Sequence, residues 1–103
     1  MKKAFKITGG KGFHITFPNG LTLSTQFGYG NYCENEDNIS LLTNRPEIVA
    51  SDDVEIAVFD KDGLWVTREM AKDVFGIDIH DDVMGHITIN DWLKIYQWCV
   101  NQK

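Results

Sequence analysis

Alternating polar and apolar residues on both sides of a Pro-Asn-Gly turn constrain the fold of this chain more than any other feature. Every second residue is apolar in residues 13–17, and the alternation resumes in residues 21–27. A period of two is typical of half-buried β-strands. The proline presets φ for the first turn position, and Gly20 can adopt a positive φ. We therefore predict a β-hairpin in which Phe17 pairs with Leu21, so that both apolar sets share one face.

Other segments carry weaker strand signals. Strands are predicted at Lys3–Thr8 and, as an edge strand, at Val83–Ile87. Val54–Phe59 is followed by the tight turn Asp60-Lys61-Asp62-Gly63. This arrangement predicts a second hairpin, with Leu64–Val66 as its returning strand.

Helix signals lie in the second half of the chain. Thr67 is predicted to cap a short helix that ends at Gly76. Thr88, followed three residues later by an aspartate, predicts the start of a C-terminal helix. Apolar residues then recur at helical spacing along one predicted buried face: Ile89, Trp92, Leu93, Tyr96, Cys99 and Val100. Trp65 is predicted to join Trp92 in the core, whereas Trp98 lies off this face, where an exposed ring would mark a partner or dimer contact.

Size and composition indicate one ordinary globular unit. With 103 residues, 43% of them hydrophobic and 24% charged, the chain has room for a single domain spanning residues 1–103. The predicted fold class is α+β. We expect an antiparallel sheet of about four to six strands, including two hairpins, packed by a short helix and a C-terminal amphipathic helix.

Charge is unevenly distributed along the sequence. Four lysines lie within the first eleven residues, whereas residues 34–91 hold fifteen acidic and four basic residues. The net charge of −5 disfavours direct binding to a phosphate backbone and suits a basic partner, including a protein that itself binds nucleic acid. Acidity for solubility alone is the simpler alternative. No apolar run approaches the ~20 residues of a membrane span, and no signal peptide follows the basic start. We therefore expect a cytoplasmic protein that does not contact a membrane.

The sequence offers little catalytic chemistry. Neither a nucleophile elbow nor a cysteine with a recognisable histidine partner is present, so we predict a protein that is not an enzyme and needs no cofactor. Cys99 is interpreted as a buried hydrophobe, while Cys33 could be a surface thiol. Only one cluster of residues has side chains suited to bind a metal, namely His80, Asp81, Asp82 and His86. Its spacing matches no zinc pattern. A metal-dependent hydrolase that uses His80, Asp82 and His86 is the weakest alternative.

The long connection after the first hairpin is the most unusual segment. Residues 28–53 are rich in turn-forming and acidic residues, and glycines flank Tyr29. Tyrosine is a favoured anchor at interfaces because it covers area at low rotamer cost. Six residues are predicted to bind a partner: Tyr29, Asn31, Tyr32, Glu34, Glu36 and Asp37. Two alternatives remain open: a loop that cradles an anionic or nucleotide ligand, and a mobile loop that only closes over the sheet.

Two blocks of this sequence resemble a known group of proteins. Residues 17–33 read FPNGLTLSTQFGYGNYC, similar to a P-N-G…S-x-Q-F-G-x-G-N-Y-C pattern of small accessory proteins from tailed phages and prophages. The segment EIAVF at residues 55–59, followed by an acidic turn and Trp65, is similar to the group's second block. The resemblance implies a setting in which short proteins act on host machinery, often as inhibitors of bacterial defence that cover a site.

The leading hypothesis is therefore a phage-encoded binding protein that inhibits a host protein by occlusion. An acidic region between Glu34 and Asp91 would face a basic surface, with Tyr29 and Tyr32 as anchors. A second hypothesis is a module that sequesters a signalling nucleotide at a homo-oligomer interface, where the N-terminal lysines and residues 28–35 would hold phosphates.

Overall fold

The predicted hairpin lies near the middle of a five-stranded sheet. The computed structural model describes residues 2–103. Its elements are β1 (Phe5–Thr8), β2 (Gly12–Thr16), β3 (Thr22–Gln26), α1 (Ser40–Thr43), β4 (Asp53–Phe59), α2 (Thr67–Phe75), β5 (Met84–Thr88) and α3 (Ile89–Asn101). The strands lie in the order β1-β2-β3-β4-β5, and every neighbouring pair is antiparallel. The predicted α+β class is confirmed.

The turn between β2 and β3 has the predicted geometry. The backbone N–H of Phe17 donates to the carbonyl of Leu21 at 2.8 Å. Gly20 has φ of 93°, in the left-handed region that glycine tolerates best. Ile15 lies opposite Leu23, which places the apolar residues of both strands on one face, as predicted.

The predicted second hairpin is reduced to a single bridge. Trp65 bridges Phe59, and the N–H of Val66 donates to the carbonyl of Val58 at 2.8 Å, but residues 64–66 form no strand. The next residue, Thr67, is completely buried, and its hydroxyl accepts the N–H of Val58 at 2.9 Å. The predicted capping role of Thr67 is therefore wrong: Val66 is the N-cap of α2, and the Thr67 hydroxyl bonds to the backbone of β4 instead.

The main core lies between one face of the sheet and the helices α2 and α3. Its fully buried members are Leu23, Ile56, Val58, Met70, Ile95 and Cys99. The predicted buried face of α3 was wrong in part, since Ile95 replaces Ile89, Leu93 and Val100, which are 62%, 51% and 44% exposed. Trp98, predicted to lie off the buried face, packs against the core and donates its indole N–H to the Asp73 carboxylate of α2 at 3.1 Å, so the buried face is rotated from the predicted one.

Two aromatic predictions have different outcomes. Trp92 packs edge-on against Phe13, with ring centroids 6.5 Å apart, and borders the core as predicted. Trp65 is 48% exposed and rests on Phe59 with centroids 4.4 Å apart, so its prediction as a core residue is wrong. Within residues 2–103, none of the helices combines the length and apolar character needed to cross a membrane.

Candidate recognition surface

Buried polar side chains shape the connection between β3 and β4. Along residues 31–35, Asn31, Cys33 and Asn35 are buried, whereas Tyr32 and Glu34 are exposed. The side-chain oxygen of Asn31 accepts the N–H of Gly28 at 3.0 Å, and its amide nitrogen donates to Glu55 at 3.1 Å. Asn31 is therefore part of the scaffold, and its burial leaves little of its side chain for the predicted partner contact.

Asn35 joins the two ends of the same connection. Its side-chain amide donates to the carbonyls of Phe27 and Ala50, both at 2.8 Å. Cys33 lies inside this closed segment with 2% exposure, so the prediction of a surface thiol is wrong. Burial raises the pKa of the Cys33 thiol. The connection is thus an ordered element with its own small polar interior.

The outer side of the connection carries a compact group of acidic residues. Reciprocal bonds link it to β4: the N–H of Glu34 donates to the Asp53 carboxylate, and the N–H of Asp52 donates to the Glu34 carboxylate, both at 2.7 Å. The imidazole Nδ1 of His86 lies 3.1 Å from the second carboxylate oxygen of Asp53. We call Tyr32, Glu34, Asp52, Asp53 and His86 the acidic face.

Tyr32 lies against β5 and is bonded to a β4 side chain, since its N–H donates to the Glu55 carboxylate at 3.3 Å. Its carbonyl accepts the N–H of His86 at 2.8 Å, and the residue is 46% exposed. A Cβ at Gly85 would lie 2.5 Å from the Cβ of Tyr32. Only glycine therefore allows Tyr32 to approach β5 this closely. The result is an aromatic residue held against β5 and presented next to carboxylates.

A β-bulge positions the histidine of the acidic face. The pairing of β4 with β5 shifts between Val54 and Ile56, and His86 has φ of 53°, which is uncommon for a residue other than glycine. Partial burial raises the pKa of the Asp53 carboxyl, but hydrogen bonds from Glu34, His86 and Ser51 lower this pKa by more. The net pKa of Asp53 is lowered. Asp53 therefore stays ionised to lower pH than an ordinary aspartate.

Tyr29 lies in different surroundings from Tyr32. It lines an open groove of about 640 Å³ together with Lys11, Leu42 and Arg45. Lys11 packs against Gly28, where an added Cβ would meet the Lys11 Cβ at 2.4 Å. Of the two tyrosines, Tyr29 thus lines a groove that contains two basic side chains, and Tyr32 belongs to the acidic face.

The two remaining acidic candidates differ in exposure. Asp37 is exposed, whereas Glu36 is half-buried and its carbonyl accepts the N–H of Gly30 at 3.0 Å. Glu36 therefore contributes to the shape of the connection, and Asp37 extends the negative charge along it.

The metal-ligand candidates do not converge. Asp82 lies 3.6 Å from the guanidinium of Arg68, which also donates to the backbone carbonyl of His80 at 2.8 Å. His86 pairs with Asp53 instead of approaching His80 or Asp82. Within the part of the chain that the structure describes, no three His, Cys, Asp or Glu side chains are grouped to hold a metal ion.

The chain matches no protein-family model, no curated protein and no solved structure. The sequence-based prediction did not place Asp52, Asp53 and His86 beside Tyr32, and it missed Arg45 beside Tyr29. Lys11 was among the N-terminal lysines of the nucleotide hypothesis. Only the alternation of small and large residues at 31–35 signals which side of the connection faces outward. The other placements depend on pairing between distant segments.

Proposed function

We propose that this chain is a phage-encoded accessory protein of the host cytoplasm that binds a host protein and inhibits it by covering a basic surface. The observation that supports this function is the acidic face, in which an exposed tyrosine lies beside carboxylates held by backbone hydrogen bonds. A defence nuclease, or another protein that binds nucleic acid, offers the basic surface that such a face would cover.

Preorganisation favours recognition. The backbone bonds that link Glu34 with Asp52 and Asp53 fix the carboxylates before a partner arrives. Ordering of side chains and loops at an interface costs about 0.5–1.5 kcal/mol for each flexible side chain, and a prebuilt surface avoids part of this cost. Tyr32 adds an amphipathic ring with few rotatable bonds, which is the character of an interface anchor.

Electrostatics favours a basic partner. Glu34, Asp52 and Asp53 are acidic, and the acidic face contains no lysine or arginine. Complementary charge steers association and raises the rate of encounter more than it raises affinity. Charge-neutralised variants are therefore expected to bind more slowly and to lose much of the salt dependence.

A matched pair of double variants tests this function. Glu34→Gln with Asp52→Asn removes two of the three carboxylates of the acidic face and keeps the Glu34 side-chain carbonyl that accepts the N–H of Asp52. Asp62→Asn with Glu69→Gln makes the same change in net charge at the opposite end of β4, ~20 Å away along the strand. Each immobilised protein is incubated with lysate of a bacterial host, and the retained proteins are quantified by mass spectrometry.

We expect one basic host protein to be retained by the wild type and by the Asp62/Glu69 variant, and lost with the Glu34/Asp52 variant. The purified host protein should then lose its own activity when the wild type is added. Equal retention by all three proteins, or retention of none, would contradict the proposed function.

The groove beside Tyr29 favours a second candidate function. Its basic side chains and aromatic ring suit a small anionic ligand such as a signalling nucleotide. A panel of cyclic nucleotides tests this, because a ligand present at 100 times its Kd stabilises a protein by about 2.7 kcal/mol. A rise in Tm that disappears in Lys11→Gln would support nucleotide binding, and unchanged Tm with every nucleotide would eliminate it.

A further inference from the structure

The two edge strands of the sheet, β1 and β5, differ in the segments that bond to them. At β5, the N–H of His86 bonds to the carbonyl of Tyr32 in the connection. β1 forms the other edge, and within residues 2–103 only β2 pairs with it. An open edge presents a row of backbone donors and acceptors to any strand that approaches it.

The pairing of β1 with β2 determines which backbone groups are open. The N–H of Thr16 donates to the carbonyl of Ala4 at 2.8 Å, so Ala4 and, two residues on, Lys6 direct their backbone groups toward β2. Phe5 and Ile7 therefore direct their N–H and C=O groups away from the sheet. Among the described residues, none bonds to these groups outside the β1–β2 ladder.

The same two residues have exposed apolar side chains. Phe5 is 79% exposed and Ile7 is 81% exposed. Their partners across the ladder are Ile15 and Phe13, which places Phe5 and Ile7 on the face that packs against the helices. β1 is short and carries Lys6, two features by which natural proteins limit unwanted pairing at an edge, so the exposed apolar pair is the part of this edge that is open to a partner.

Helix α3 carries further exposed apolar residues. Its exposed residues Ile89, Leu93 and Val100 lie ~140–180° around the helix from Trp98, which contacts α2. They consequently face away from α2. Trp92 and Tyr96, on the same side of the helix, pack against Phe13 and Phe17. The exposed stripe of α3 and the apolar side chains of β1 thus lie on the same side of the sheet.

Positively charged side chains lie near this edge on the other face of the sheet, away from the helices. Lys2 and Lys6 alternate with Phe5 and Ile7 along the strand, and they line a groove of about 340 Å³ with Lys3 and His14. Burial, followed by the charges of Lys6 and Lys2, lowers the pKa of His14. The groove is therefore an electropositive environment. Two copies paired through this edge would bring their lysines together, which disfavours self-association.

We propose that the β1 edge accepts an extended strand from a partner protein in which apolar residues alternate with acidic residues. The added strand would bond to the backbones of Phe5 and Ile7, pack its apolar side chains on their rings and methyl groups, and direct its carboxylates toward Lys2 and Lys6. This is strand addition, in which backbone bonds give affinity and alternate side chains give specificity. The site is separate from the acidic face.

The test uses the full chain and a fluorescent ten-residue peptide in which valine alternates with glutamate. Ile7→Pro removes the outward N–H and leaves the inward bonds of Lys6 in place, since proline is tolerated at an open edge. Lys6→Glu reverses the charge opposite the peptide carboxylates. Lys94→Glu makes the same charge change on an exposed part of α3 and serves as the control.

We expect the peptide to bind the wild type and the Lys94→Glu variant, and to bind at least tenfold more weakly to Ile7→Pro and to Lys6→Glu. Amide hydrogen exchange of Phe5 and Ile7 should slow on binding, while that of Lys6 is slow with and without peptide. Absence of binding, equal binding to Ile7→Pro, or sedimentation showing dimers that Ile7→Pro dissociates would overturn the proposal. None of these results alters the expectations for the Glu34/Asp52 variant.

Discussion

Asn31 donates from its side-chain amide to the Glu55 carboxylate, 3.1 Å away, and so ties the long connection to strand β4. The same carboxyl group accepts the backbone N–H of Tyr32 at 3.3 Å. One residue of β4 therefore positions both a buried scaffold residue and the exposed tyrosine that follows it.

Replacement of Asn31 by alanine should destabilise the fold. It leaves the buried N–H of Gly28 without its acceptor, which costs about 1–3 kcal/mol. Urea denaturation of Asn31→Ala against the wild type measures this loss. Asn90→Ala, at an exposed position on α3, should change stability by no more than about 0.5 kcal/mol. Equal stabilities for the two variants would show that Asn31 does not hold the connection.

The buried hydroxyl of Thr67 provides a second stability test. Thr67→Val keeps the shape of the side chain but leaves the N–H of Val58 unsatisfied, at a cost of about 1–3 kcal/mol. Thr67→Ser keeps the hydroxyl and loses one methyl group, worth about 0.8 kcal/mol. Thermal unfolding should place the serine variant closer to the wild type. The reverse order would mean that packing, not the hydrogen bond, dominates at this position.

Asp53 should contribute to the acid sensitivity of the fold. Its pKa is lowered in the folded state, so its contribution to stability is complete above the unfolded pKa of about 3.9 and is lost as pH falls through the lower folded value. In urea titrations from neutral pH downward, Asp53→Asn should lose less stability below about pH 4 than the wild type does. Parallel curves for the two proteins would contradict the lowered pKa.

Both thiols should be inert in the native protein. Burial raises the pKa of Cys99 to about 12, and Cys33 is also buried with a raised pKa. The thiolate is the reactive form, so little of either exists near pH 8. Ellman's reagent should modify neither cysteine until denaturant is added, after which both react. Rapid modification of Cys33 in the native protein would show that the connection around it opens readily.

Local signals in the sequence account for the elements that were predicted correctly. The hairpin is encoded by alternation and a turn, and the end of α2 by Gly76, which has φ of 67°. The roles of Thr67, Trp65 and Ile95 depend on which distant segment lies beside them, and local pattern carries no such information. By local sequence Thr67 resembles a helix cap, but in the fold its hydroxyl accepts the backbone N–H of Val58, a distant residue of β4.

The candidate surface was predictable only in outline. Tyr32 and Glu34 were identified as exposed residues of an acidic segment, and the structure places them on one face with Asp53. Asn31 was misplaced because asparagine is usually exposed, whereas here a polar interior satisfies both of its side-chain atoms. Separation of Tyr29 from Tyr32 follows from the path of the connection, which no pattern in residues 28–53 indicates.

The salt dependence of binding to the purified host partner tests the central claim most directly. Calorimetric titration of the wild type, the Glu34/Asp52 variant and the Asp62/Glu69 variant would span from about 0.05 to about 0.5 M salt, over which screening of exposed charges increases strongly. We predict that Kd rises steeply with salt for the wild type and the Asp62/Glu69 variant, and only weakly for the Glu34/Asp52 variant. A Kd that is independent of salt, or the same for all three proteins, would contradict recognition through the acidic face.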